Sequence, residues 1–383
     1  MCRSEHEGTI PMIPVNEPSF GEREVEYVAE CVRTGWVSSA GRFIDQFEQE
    51  WAQYCQRKHG VAVSNGTTAL QLALRALDLN PGDEVIMPTF TNVACALAVI
   101  YAGGVPVLVD SDPRHWTMSP GEVAQKMTPR TRVIMAVHIY GHPAEMDNIL
   151  RLAEENHLAV VEDAAEAHGA EVLSRGVWRR CGSLGTFSCF SFYANKPVTT
   201  GEGGMVLTDE GPLAERLRSL RNLCYHPTRR FFHEEMGYNF RITNLQAALG
   251  LAQVERIEQI VSKKQWMLRE YTRRLGNLSG IELQTQEPWA RSICWMYGIL
   301  VSEQVGMDAV ALAKRLADRG VDTRPFFLGM HEQPAFHKRG LFLNERYPVA
   351  ERLARQGLYL PSGLALTESQ LDQVCLTLRE VLA

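Results

Sequence analysis

No CxxC pair and no zinc-type spacing occurs among the nine cysteines, which stand at 2, 31, 55, 95, 181, 189, 224, 294 and 375. An odd, scattered set excludes a disulfide-stapled framework and reads as reduced thiols, so a cytoplasmic location is expected. Positive charge is not in excess either. With 39 Lys and Arg against 45 Asp and Glu, the formal net charge is −6, which leaves no electrostatic footprint for nucleic acid. Residues 1–9 are polar and mixed in charge, without the apolar stretch of a secretory leader. One long run lacks charge, Val85 to Val109, but Pro88, Gly103-Gly104 and Pro106 divide it into strand, helix and strand. A buried layer is therefore expected there and no membrane association. Internal repeats and low-complexity tracts are absent. Gly201-Glu202-Gly203-Gly204 imitates part of a dinucleotide fingerprint, yet it precedes a strand and lacks the full GxGxxG. His138, His142 and His168 match no common zinc pattern, so no metal site is expected.

What the chain does have is length and alternation. Its 383 residues can hold two domains with a substantial core. Strand-like runs at 61–64, 84–88, 105–110, 131–138, 158–162, 186–192 and 204–208 alternate with helical stretches, of which Asp147 to Asn156 is one. That pattern predicts an α/β fold with a mostly parallel sheet covered on both faces. Thr243 through Tyr271 reads as helix, as one long element. Beyond it, strand signals at Ile281–Leu283 and Cys294–Val301 join helices at Met307–Asp318 and Glu368–Leu382. The expected division is a large domain over 13–261 and a smaller α+β domain over 262–383, with the first twenty or so residues lying across the small domain or a partner subunit.

Within this framework a single lysine stands out. Lys196 lies between the apolar run Thr186 to Phe192 and the Gly-rich turn that leads into Met205 to Thr208. Scaffold on both sides can aim its amine and partly desolvate it. Desolvation disfavours a charged amine, and a neutral amine is what attacks an aldehyde to form a Schiff base. A solvated loop lysine is the ordinary alternative, and two further segments weigh against it.

The first is Leu158-Ala159-Val160-Val161-Glu162-Asp163, an apolar run that ends in carboxylates as a central parallel strand can at the ligand-binding edge. Pyridoxal phosphate (PLP) needs a carboxylate against its pyridine nitrogen to keep that nitrogen protonated. Asp163 is the candidate, against the alternative of a loop-capping aspartate. The second is Val61 to Leu77, where a strand runs through Asn65-Gly66 into a helix of strong formers. The free amides at such a helix start suit a phosphate dianion.

Phosphate turn, acid at a strand end and lysine in a strand-flanked loop, in that order, resemble the fold-type I PLP enzymes. More narrowly, Thr34 to Gly41, Asn65 to Leu70, Glu162 to Gly169, Ser191 to Lys196 and Gly237 to Ala248 are similar to the DegT-type nucleotide-sugar aminotransferases. The resemblance runs from about residue 13 nearly to the end of the chain. It implies PLP as cofactor and Lys196 as the Schiff-base lysine, with Asp163 as partner of the pyridine nitrogen. It further implies phosphate contacts at Gly66, Thr67 and Ser191, and Glu166 beside the ring. The asparagine matching Asn239 belongs in the neighbouring subunit's site, which implies a homodimer with shared active sites. Relatives with histidine in place of the lysine perform dehydration, so Lys196 argues for transamination, with glutamate as the expected donor. Where the family often stacks an aromatic on the pyridine this chain has Asn92; either that amide packs on the ring or Phe90 takes part. Pro197 removes one amide beside Lys196, and the loop is expected to tolerate it.

The acceptor is read from the tail. Asp322 to Phe327, Met330 to Phe336 and Gly357 to Leu364 resemble the perosamine-forming members of that family, which aminate C4 of GDP-4-keto-6-deoxymannose. Arg229, Arg230 and Arg324 are candidates for the diphosphate, Tyr225 and His331 for the sugar, and Trp36 for a further substrate contact. Each could equally be a surface or packing residue. The same cofactor residues would serve an aminotransferase of another dTDP-, UDP- or GDP-ketosugar, at C3 or C4, for surface polysaccharide or antibiotic sugar. They would also suit a non-catalytic PLP-binding regulator, against which the intact Lys196, Asp163 and Ser191 set argues.

Overall fold

The computed structural model describes residues 11–229 and 231–383; Cys2 and the candidate Arg230 lie outside them. Among the described residues the central sheet has seven strands. They are β1 (His59–Val63), β2 (Glu84–Pro88), β3 (Val105–Val109), β4 (Thr131–Val137), β5 (Ala159–Asp163), β8 (Phe187–Ser191) and β9 (Gly204–Thr208). Their order is β1-β9-β8-β5-β4-β2-β3, and only the pairings of β9 with β1 and β8 are antiparallel. Strands β2, β8 and β9 are buried along their whole length, as strands covered on both faces must be.

Helix α1 (Glu22–Thr34) packs on the helix that begins at Asn244, and α2 (Arg42–Tyr54), α3 (Gly66–Ala76), α4 (Ala94–Ala102), α5 (Pro120–Lys126), α6 (Met146–Asn156) and α7 (Gly211–Arg221) cover this sheet. The charge-free run from Val85 folds as β2, α4 and β3. Among the described residues no helix is long and apolar enough to cross a membrane. A hairpin of β6 (Glu171–Ser174) and β7 (Val177–Arg180) forms a separate small sheet with β11 (Ala290–Arg291).

The stretch expected as one long helix is two, α8 (Asn244–Val254) and α9 (Ile257–Leu275). The break falls at Arg256, whose backbone leaves helical geometry at φ −119°, ψ 21°. Its guanidinium turns back to donate to Glu24 Oε1 at 2.8 Å, and Glu24 is 2% exposed. This ion pair ties α1 to the junction of α8 and α9.

Past α9 lie β10 (Ile281–Leu283), β12 (Tyr297–Val301), β13 (Arg324–Pro325) and β14 (Gly357–Leu360), with α10 (Ala309–Ala317), α11 (Pro334–His337), α12 (Pro348–Gln356) and α13 (Glu368–Leu382). β10, β12, β14 and β13 make a second, antiparallel sheet. Helix α9 is shared between two cores. Ile257, Ile260 and Val261 pack into the large one, and Met267, Tyr271 and Leu275 into the small one. Ile13 joins the small core, and its amide donates to Gly320 O at 2.8 Å. The segment carrying Phe326, Met330, Phe336, Phe342, Tyr347 and Leu353 returns to the large core. Residue 262 thus falls inside α9, and part of the chain beyond it packs on the core of the central sheet.

Candidate active site

A cavity of about 620 Å³ opens at the carboxyl ends of β5 and β8, where open α/β sheets take their ligands. Helix α3 points its N-terminus into it. Asn65 caps that helix, accepting from the Thr68 amide at 2.9 Å while the Thr68 hydroxyl bonds back to Asn65. Helix geometry leaves the first amides, those of Gly66 and Thr67, without intrahelical acceptors. Gly66 allows close approach to β8: a Cβ there would meet Ser191 Cβ at 2.7 Å. Gly66, Thr67 and Ser191 therefore stand together on one wall.

Lys196 enters from the loop after β8. The loop is tied at its neck by Phe192 N to Gly203 O at 2.8 Å and Thr200 N to Phe192 O at 2.9 Å. Lys196 N donates to Tyr193 O at 2.9 Å, so the turn closes ahead of Pro197 and does not need the missing amide. The lysine side chain is only 10% exposed, and Nζ lies 3.3 Å from Glu166 Oε1. The amine is thus compensated by a carboxylate in addition to being desolvated. Burial raises the Glu166 carboxyl above its ordinary value, against the opposing pull of Lys196 and the Tyr140 amide.

Tyr140 supplies that amide, donating to Glu166 Oε2 at 2.8 Å. Its backbone is left-handed, φ 54° and ψ 20°, which costs a non-glycine residue about 1–3 kcal/mol and persists only where surroundings demand it. Opposite Glu166, the Trp295 ring lies under Lys196, with Nζ 3.7 Å from the ring centroid. Trp295, Phe327 and Tyr359 form the wall contributed by the second half of the chain.

Asp163 closes the last strand position of β5 and is 6% exposed. Its Oδ1 accepts from the Ala165 amide at 3.1 Å, and Cys95 donates its thiol to Oδ2 at 3.0 Å. Beneath it, fully buried Glu162 accepts from His138, Gly182, Leu184 and Gly185 at 2.6–3.1 Å. Burial alone would raise this carboxyl, but His138 and the amides outweigh it and hold it at about 2.

Of the residues expected from sequence, Gly66, Thr67, Asn92, Asp163, Glu166, Ser191 and Lys196 line this one cavity. Phe90 does not. It is 1% exposed and packs on Tyr140, Phe326 and Phe327, so of the two options at this position only Asn92 reaches the wall. His331 is likewise a correction. It is 4% exposed, its Nδ1 is 2.8 Å from Thr89 Oγ1 and its Nε2 3.4 Å from Glu351, so both nitrogens are taken up in packing. Arg324 pairs with Asp322 and stands beside the cavity on β13, in register with Tyr359. Trp36 (58% exposed), Tyr225, Arg229 and Asn239 lie on the surface, away from this chain's own cavity. Trp36 sits over Asn244, Tyr225 pairs with His233, and Arg229 covers the Phe232 ring. Sequence reasoning missed Trp295, Phe327 and Tyr359 as cavity residues, although the segments holding them were noted. Nothing local to them marks a site, since tertiary folding alone brings them there.

These features define the class: a fold-type I architecture whose cavity offers an anion-binding helix start, a carboxylate and a lysine, all of which fit PLP. The family model described as the DegT/DnrJ/EryC1/StrS aminotransferase family matches residues 18–379, and the chain belongs to that family. The GDP-perosamine synthase of Caulobacter vibrioides is 41% identical over 374 residues, 97% of this chain and 99% of the relative. That of Escherichia coli O157:H7 is 38% identical over 368 residues, 96% and 98% of the two chains. The solved structure of S. venezuelae DesV superposes with a TM-score of 0.89 at 36% identity, covering 97% of this chain and 98% of DesV. The protein is accordingly a PLP-dependent aminotransferase of the sugar-modifying kind.

Proposed function

We propose that this protein transfers the amino group of glutamate to the keto carbon of a GDP-linked 4-keto-6-deoxy sugar, of the GDP-4-keto-6-deoxymannose type, as a cytoplasmic homodimer with shared active sites. The observation that carries the reading is the convergence of Lys196, Asp163 and the start of α3 in one cavity, within a chain 41% identical to a GDP-perosamine synthase. The eight cysteines at described positions, all free and buried, support a reducing compartment.

When bound, the cofactor supplies the aldehyde that exchanges amino groups and a ring that accepts electrons. Everything else falls to the chain. The amides of Gly66 and Thr67 with the Ser191 hydroxyl bind the phosphate and fix the ring's position. Asp163, its carboxylate held by Ala165 and Cys95, keeps a proton on the pyridine nitrogen. Lys196 would hold the cofactor covalently, and its free amine would move a proton on and off the substrate carbon as base and acid in turn. Glu166 and Asn92 would stand beside the ring, and Asn239 would serve the partner's cavity. Phe327 and Tyr359 offer apolar faces for the acceptor.

A panel of GDP-, dTDP- and UDP-ketosugars incubated with glutamate, with products solved by NMR, tests this. Amination at C4 of the GDP-linked sugar is expected. Turnover confined to a dTDP- or UDP-sugar, or at C3, would overturn the acceptor assignment.

A further inference from the structure

Once Lys196 has given up the cofactor, its amine must stay aimed at the cavity until the second half of the reaction. This inference rests on the role of Lys196 given above. Two arms meet that amine, and both hang from Tyr140. The Tyr140 amide holds Glu166 Oε2 at 2.8 Å, while its carbonyl accepts from the Trp295 amide at 3.0 Å. The free Glu166 oxygen lies 3.3 Å from Nζ, and the Trp295 ring centroid 3.7 Å from it.

The tryptophan is itself pinned at both ends. Its indole Nε1 donates to Asn195 O at 2.8 Å, one residue before the lysine. Its carbonyl accepts from Lys264 Nζ at 2.9 Å, and the same amine reaches Ser362 O at 2.5 Å. Lys264 is 1% exposed, so this staple is built into the core where α9 passes between the domains. An aromatic face attracts a cation through its quadrupole, most strongly when desolvated. A ring that merely filled space would not need its face under the ammonium.

We propose that Glu166 and Trp295 form a cradle for the free ε-ammonium of Lys196, with Trp295 as the positioning residue that holds the amine in line between the two half-reactions. The carboxylate supplies charge, and the ring face supplies direction without a competing hydrogen bond.

Competitive labelling of apoprotein lysines with dinitrofluorobenzene at pH 7, read by peptide mass spectrometry, tests the cradle without the cofactor. Exposed Lys58 and Lys338 serve as internal standards. W295L should raise Lys196 labelling about tenfold over those standards, whereas W295F, which keeps a ring face, stays within about threefold of the parent. Y359L opens the same cavity without touching the amine and should leave the rate near the parent's. If W295L does not fold, W295M reads the same contrast. Equal labelling in parent and W295L, or an equal rise in Y359L, would overturn the proposal. Borohydride trapping decides the lysine's covalent role separately, so loss of one result leaves the other standing.

Discussion

At position 163 the carboxylate already has both oxygens engaged by its own chain, one by the Ala165 amide and one by the Cys95 thiol. Such an acid is held for its task rather than left to find it. D163N keeps the shape but removes the charge, and turnover should fall by about 10²–10³-fold, the scale of losing one preorganised electrostatic contact. Retention of normal kcat would refute the pyridine-nitrogen role. The opposite behaviour is expected at His331. H331A leaves the buried Thr89 hydroxyl without its ring partner, while Glu351 keeps Arg346 and the Tyr347 amide, which should cost about 1–3 kcal/mol in stability with KM for the sugar unchanged. A raised KM with normal stability would restore His331 to the substrate. Residues of the first kind were legible because strand ends, Asn-Gly turns and a strand-flanked lysine each carry local chemistry. His331 and Phe90 were not, since whether a side chain faces cavity or core depends on what packs over it.

Strands and helices carry their own tests. Helix α3 meets β8 through Gly66, so G66A forces the helix away from Ser191. Overpacking of this sort costs about 1–3 kcal/mol, and the rise in melting temperature on adding PLP should shrink as well. An unchanged rise would separate Gly66 from the phosphate. Strands β4 and β5 and the turn after them bury titratable groups that set the acid limit. Burial holds the His168 ring, packed among Trp51, Phe190 and Phe192, down at about 3, and His142 at about 4. Below pH 6.5 the unfolded chain takes up these protons while the folded one does not, so stability falls with pH there. Each such histidine contributes a slope of up to about 1.4 kcal/mol per pH unit. Glu162, held at about 2, adds stability that is present above 4.5 and lost on descent toward 2. Thermal melts from pH 7 to 4 should show a decline that steepens below 4.5; a flat profile would contradict these assignments. At this scale the strands of the central sheet were readable from apolar runs bounded by Gly and Pro. The break between α8 and α9 was not, because both sides are good helix and the partner that meets Arg256 there, Glu24, is over 200 residues away in sequence.

For the molecule as a whole, the cavity is walled by both halves of the chain, with Trp295, Phe327 and Tyr359 closing over Lys196. That the segments past α9 differ in kind from the alternating strands and helices before it was legible in the order of elements. The return of residues 326–353 to the large core was not, for apolar content does not say which core an element joins. Asn239 is exposed and outside its own cavity, as a residue serving a partner would be. In the proposed shared-site dimer, mixing inactive K196A and N239A proteins under subunit exchange should restore activity, because one site per mixed dimer would be intact. No recovery would place Asn239 in its own subunit's site or outside catalysis. The most direct measurement concerns position 196. Borohydride reduction of PLP-reconstituted protein, followed by peptide mapping, should label the ε-nitrogen of Lys196 and erase the visible cofactor band. A map in which that residue stays unmodified while cofactor remains bound would contradict the account.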